Sequence, residues 1–140
     1  IDNIIPSIPT GLMATISNGV TNLVWDDSVD LDFQYFSIFC NNELIAYSIT
    51  SSYADTTYGQ LEYYITTIDA NGNESEKSES VMIDLLLGDI NTDGDLNIMD
   101  LVIIANMVLA DEYSEICDVN GDSSLDILDL VTLVNLILFP

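Results

Sequence analysis

The chain has no histidine and no arginine, and Lys77 is its one cationic side chain. Each absence closes off a class of function. Without histidine there is no Ser-His or Cys-His nucleophile arrangement. Without arginine there is no bidentate clamp for phosphate or carboxylate. Without a basic patch nothing displaces phosphate counterions, which argues against nucleic-acid binding, and an anionic membrane surface repels the chain for the same reason. No apolar run reaches the ~18 residues that span a bilayer, so membrane insertion is not expected. The longest run, Leu130 to Phe139, is broken by Thr132 and Asn135. Two cysteines, Cys40 and Cys117, are too few for a disulfide scaffold and match no zinc spacing. They read as semi-buried thiols, with a Cys40–Cys117 bridge left open for an oxidising compartment. The chain starts at Ile1 with no basic segment leading into an apolar one, which reads as a processed chain or an excised fragment.

What is present is acid and apolar surface together. Twenty-four Asp and Glu against one Lys give a formal net charge of -23, yet 49% of the residues are hydrophobic. Disorder needs high charge with low hydrophobicity, so a disordered acidic tail is excluded. The carboxylates must face water or hold metal. A length of 140 residues allows one ordinary domain or two small ones.

Residues 1–84 are rich in Thr, Ser, Tyr, Ile and Val broken by turn residues. Thr21, Leu23 and Trp25 share one face of an alternating run, and Phe36, Ile38 and Cys40 share one face of the next. Runs at 43–49, 51–57, 62–68 and 75–83 follow at short spacing, with Asn41-Asn42 and Asn71-Gly72 as hairpin turns. About seven short strands with regular turns predict a β-sandwich. Pro6-x-x-Pro9-x-Gly11-Leu12-x-Ala14, Leu23-x-Trp25-Asp26 and the Tyr63–Ser75 stretch together resemble a fibronectin type III domain over residues 5–84. That resemblance implies a spacing and protein-contact role.

Residues 85–88 read as a short linker, and 89–140 change grammar. Asp89–Leu109 aligns without gaps on Asp118–Leu138, with 10 of 21 positions identical, an internal duplication. Each unit opens with the spacing of a twelve-residue calcium loop, whose oxygens fall at positions 1, 3, 5, 7, 9 and 12 with glycine at 6. In the first, Asp89, Asn91, Asp93, Asp95 through its carbonyl, Asn97 and Asp100 fill the set, and Gly94 takes the sharp bend. In the second, Asp118, Asn120, Asp122, Ser124 through its carbonyl, Asp126 and Asp129 do so. Here Ser123 replaces the glycine, and a non-glycine residue in the left-handed region costs about 1–2 kcal/mol. Two Ca2+ sites are expected, the second the weaker. Asp69-x-Asn71-x-Asn73 starts in the same way, but Glu74 stands where glycine is needed, so it reads as a turn.

Loop followed by helix, duplicated, with Asp at position 12, resembles a type I dockerin module over residues 88–139. The resemblance implies calcium binding and docking of an extracellular bacterial protein onto a cohesin domain. Such modules commonly carry Ser-Thr at positions 10 and 11 and basic residues later in the helices. Here Ile98-Met99 and Ile127-Leu128 stand there, and no Lys or Arg follows.

The two helical stretches are apolar nearly all round, where a surface helix has a polar back. Leu101, Ile104, Ala105, Val108 and Leu109, with their counterparts Leu130, Leu133, Val134, Ile137 and Leu138, can form the core. Val102, Ile103, Met107, Val131, Leu136 and Phe139 are then left to bind a partner or pack on the sandwich. The expected fold is mainly β with a small α part. It joins a fibronectin type III-like sandwich to a dockerin-like pair of loop–helix units. The expected function is a non-enzymatic, calcium-stabilised interaction module, extracellular or at the cell surface. Its partner is a cohesin-like domain or further copies of itself. The alternative is the subunit of a self-assembling filament or surface layer. A glycosidase is disfavoured because no two carboxylates form an acid–base constellation. A cytosolic sensor is disfavoured because neither loop has a clear entering helix.

Overall fold

A computed structural model of the chain describes residues 3–140. Among the described residues there are seven strands, β1 (Met13–Ser17), β2 (Val20–Val24), β3 (Phe33–Cys40), β4 (Glu43–Ser48), β5 (Ser52–Asp55), β6 (Gly59–Asp69) and β7 (Val81–Leu85). Two helices follow, α1 (Ile98–Leu109) and α2 (Ile127–Leu138). Among the described residues no helix is long and apolar enough to cross a membrane. The chain divides into two compact units. The first takes residues up to Thr15, Asn22–Asp55 and Leu61–Ile83. The second takes Ile16–Thr21, Thr56–Gln60 and Asp84–Pro140.

The strands form two sheets, in the orders β1-β2-β5 and β4-β3-β6-β7. Turn chemistry sets the hairpins. Asn41 and Asn42, both at positive φ (51° and 65°), join β3 to β4, the backbone twist that a two-residue hairpin requires. Asn18-Gly19 does the same between β1 and β2, with φ of 49° and 74°. The alternation of β2 and β3 places Leu23, Trp25, Phe36, Ile38 and Cys40 in one core with Leu61, Tyr63 and Ile65 from β6. Trp25 meets Phe36 edge-on at 5.4 Å, a favoured aromatic geometry. Tyr63 keeps its hydroxyl satisfied by donating to Asp55 Oδ2 at 2.6 Å.

One expected strand differs. Residues 75–80 do not form a strand, and β7 begins only at Val81. Ser75 and Ser78 hold the intervening segment to β6 instead. Their backbone N–H groups donate to Thr67 O and Ile65 O, and their hydroxyls accept from Thr67 N and Ile65 N. The Asp69–Asn73 segment is a turn closed by an Ile68–Glu74 bridge. Burial alone raises the Asp69 carboxyl, but hydrogen bonds from Asn73, Asn71 and Gly72 outweigh it and hold it below the usual carboxylate range. The Asn73 side-chain amide donates to Asp69 Oδ2 at 2.8 Å.

In the second unit the buried hydrophobic residues are Leu85, Ile90, Ile104, Ile116, Cys117 and Leu133. Gly88, at φ 91°, lies where a Cβ would come within 3.0 Å of Leu133 Cδ1 and 3.2 Å of Leu96 Cδ2, so glycine lets the chain pass close over that core. Cys40 and Cys117 are both free and buried, so the bridge left open by the sequence is not made. Burial pushes the Cys117 thiol up to about 11.

Candidate metal centre and docking face

Each helix is started by the same device. Asn97 caps α1, its Oδ1 accepting Met99 N–H at 2.8 Å, and Asp100 Oδ2 reaches back to accept Asn97 N–H at 3.0 Å. Asp126 and Asp129 repeat this for α2, at 2.8 and 2.9 Å. These are capping boxes built from positions 9 and 12 of each loop. The residues proposed as ligands and the residues that start the helices are therefore the same.

The rest of each loop curls around its first aspartate. Asp89 Oδ2 accepts Gly94 N–H at 2.8 Å and its Oδ1 accepts Asp93 N–H at 3.2 Å. Asp118 accepts Ser123 N–H at 2.8 Å and Asp122 N–H at 3.1 Å in the equivalent places. The position-12 carboxylates complete both rings, Asp100 Oδ1 accepting Asn91 N–H at 3.4 Å and Asp129 Oδ1 accepting Asn120 N–H at 3.2 Å. Asn91 and Asn120 turn their Oδ1 atoms onto Asp93 N–H and Asp122 N–H. Asp95 O accepts the Asn97 amide at 3.3 Å.

The result is two carboxylate clusters. One oxygen from each of Asp89, Asp93 and Asp100 lies within 4.8 Å of the others, and the same holds for Asp118, Asp122 and Asp129. Oxygens sharing one calcium at about 2.3–2.6 Å lie no more than about 5 Å apart. Asp100 and Asp129 are fully buried. Burying a carboxylate beside two others without a cation is costly, and the one Lys of this chain belongs to the first unit, over the Tyr64 ring. An all-oxygen donor set of this charge fits a hard divalent cation, for which Asp89, Asn91, Asp93, Asp95, Asn97 and Asp100 and their six counterparts are the candidate ligands.

The strain is shared differently from the expectation of a weaker second loop. Ser123 does take the left-handed conformation, φ 67° against 89° at Gly94. But position 4 is left-handed too, and there the first loop has Thr92 at φ 57° where the second has Gly121 at 75°. Thr92 is β-branched, the less tolerant type in that region. Each loop thus carries one glycine and one strained residue. Thr92→Gly should tighten cation binding at the first loop, and Ser123→Gly at the second. Relief of about 1 kcal/mol is roughly a fivefold gain in affinity for each. Isothermal titration of calcium reads both sites, and terbium luminescence is expected to report the second, because the Tyr113 hydroxyl lies 3.4 Å from Asp118 Oδ2.

The helices expose what their sequence could not hide. Val102, Val131, Leu136 and Phe139 are exposed, Phe139 at 77%. Ile103 and Met107, expected with them, are only partly exposed and line a cavity of the second unit. Leu109 and Leu138, expected in the core, are 85% and 64% exposed. Both sit in the last turns of their helices, beyond the reach of the Ile104–Leu133 core. Four residues outside the expected face join it: Ile98, Met99, Ile127 and Leu128 are all more than half exposed. Their signal was present, an apolar pair at positions 10 and 11 of each loop, repeated at an offset of 29. Between the helices runs an apolar groove of about 390 Å3, lined by Leu101, Ala105, Leu130 and Val134 among others.

Known proteins resemble parts of this chain. Residues 87–138 match the dockerin type I domain family. The spore cortex lytic enzyme SleM of Clostridium perfringens has a similar fold, with TM-score 0.52 at 22% identity over 56% of this chain and 28% of that one. A family 28 exopolygalacturonase of Yersinia enterocolitica gives TM-score 0.50 at 11% identity over 56% of this chain and 20% of its own. A Fn3-like protein of Clostridium thermocellum gives 0.49 at 22% identity, over 55% and 90%. The chain thus spans less than a third of the length of the first two. No curated protein matches it. At these identities the solved structures speak to fold alone. Residues 87–138 match the dockerin type I model, and the N-terminal portion is a two-sheet β-sandwich.

Proposed function

We propose that this chain is a calcium-dependent docking component of an extracellular protein assembly. In this reading the sandwich is a spacer over about residues 1–84, and the module from residue 89 onward binds a cohesin-like partner. The observation that carries it is the pair of carboxylate clusters within a dockerin type I match, each cluster starting an apolar helix. One cation per loop neutralises the buried Asp100 and Asp129 and holds the two helices together. That presents Ile98, Met99 and Val102 of one repeat and Ile127, Leu128 and Val131 of the other as an apolar face. Contiguous exposed apolar surface of this kind marks an interaction site.

Sequence and geometry together favour a hetero-partner over a filament of like copies. Every copy carries -23, or about -19 with two calcium ions bound (-23 + 4), so stacking copies brings like charges together, while the partner's charge is unconstrained. Surface plasmon resonance against a panel of type I cohesin domains, in calcium and in EGTA, is the test. Binding is expected in calcium only. Ile98→Asp with Ile127→Asp should weaken it by roughly 30-fold or more, the effect of losing a single centre worth about 2 kcal/mol. Unchanged binding in the double variant would exclude this face. Calcium-driven growth of large species by light scattering, without any added protein, would instead favour the filament.

A further inference from the structure

The second unit contains a cavity of about 640 Å3 at the C-terminal end of α1. Ile103 and Met107 of α1, Ile90 and Tyr113 give it apolar walls, and Glu112 and Glu115 bring carboxylates to it. Ile90 is buried, whereas Glu112 and Glu115 are exposed. Glu115 is positioned by Thr56, whose hydroxyl donates to its Oε2 at 2.8 Å.

The electrostatics at this end of the helix are the reverse of what a helix favours. The last turn of α1 has no basic residue. The C-terminus of a helix carries partial negative charge and is stabilised by cations. Here Asp111 and Glu112 follow it directly, Asp111 in the left-handed region at φ 55°, and Glu112 N–H closes the turn on Met107 O at 3.0 Å. Acids therefore stand where the helix dipole disfavours them, beside an apolar cavity. A local rule broken without a compensating partner in the chain is the pattern of a functional site. Among the described residues no basic side chain lines the cavity.

We infer that this cavity receives a long basic side chain, lysine or arginine, from the docking partner. The apolar walls suit the methylene stem of such a side chain, and the carboxylates with the helix end suit its charged head. A volume in the range of small-ligand pockets accommodates it. The inference rests on the docking reading for the source of the side chain, but the cavity's chemistry can be tested without any partner.

The test is a methyl and amide NMR titration of the full calcium-loaded chain. The probe is an acetylated, amidated pentapeptide with one central lysine between alanines, and its control is the norleucine counterpart. The lysine peptide should shift the Ile103 and Met107 methyls along a saturable curve. The norleucine peptide should do so markedly less. Glu112→Gln with Glu115→Gln should weaken the lysine peptide by about three- to tenfold, as two exposed charges imply, while hydrogen-exchange protection of α1 shows that the variant is folded. Equal effects of the two peptides would overturn the inference. So would shifts spread over all acidic segments with none at Ile103 and Met107, or unweakened binding of the lysine peptide to the double variant. Loss of cohesin binding leaves this titration untouched. A failed titration beside intact cohesin binding overturns the cavity assignment alone.

Discussion

With Asp89→Ala and Asp118→Ala together, residues 89–138 are expected to lose their hydrogen-exchange protection while β1–β7 keep theirs. The same result is expected for the native chain in EGTA. Asp89 and Asp118 each accept two or three backbone N–H groups of their loops and contribute to the carboxylate clusters, so removing them unties the loop ends and takes away cation ligands at once. Without a cation, Asp100 and Asp129 remain buried beside other carboxylates, and each is also the N3 residue of a capping box. The helices then lose their start signal and their charge balance together. A module of this size has little core in reserve, and metal-binding free energy in such modules is folding free energy. Calcium at about a thousand times its dissociation constant adds about 4 kcal/mol, a large part of a small domain's stability. Far-ultraviolet circular dichroism should show the helical signal lost and the β signal kept. Equal protection of 89–138 with and without calcium would show that the module folds on its own core.

Leu133→Ala tests the same coupling from the apolar side. Leu133 is fully buried, as is its counterpart Ile104. Truncating such a leucine costs about 2–5 kcal/mol. If two ions bind only the folded module, each tenfold rise in calcium adds about 2.7 kcal/mol, so the calcium midpoint for helix formation should rise roughly five- to seventyfold. Leu138→Ala is the control, because Leu138 is 64% exposed and its truncation should leave the midpoint nearly unchanged. A midpoint equally insensitive to both would mean that the core and the cation sites fold independently.

Much of this architecture was legible in the sequence because it rests on short-range patterns. Alternation at Leu23, Trp25, Phe36 and Ile38 announces the sandwich core, since strand periodicity sends every second side chain to one face. The loop spacing brings Asp89, Asp93 and Asp100 together because the chain must curl within twelve residues. What failed was whatever depends on tertiary reach. Leu109 and Leu138 fit a helical apolar stripe, yet the packing of two short helices does not extend to their last turns. Residues 75–80 are all polar, so no apolar face sets a strand there, and Ser75 and Ser78 answer the β6 backbone with their side chains as well as their N–H groups. The strain at Thr92 could not be anticipated from a glycine rule confined to position 6. Ile98, Met99, Ile127 and Leu128 were visible as an anomaly, but their exposure emerges only once the helices are seen to start at positions 10 of both loops.

The central claim is that each loop holds one cation and that the two cations fold the helices. Isothermal titration of calcium into the metal-free native chain, with helix content followed in parallel, tests it most directly. Two ions per chain are expected, with helix content rising as they bind and little displacement by magnesium, which demands a tighter octahedral set. A stoichiometry of zero, or two ions bound with no change in helix content, would contradict it.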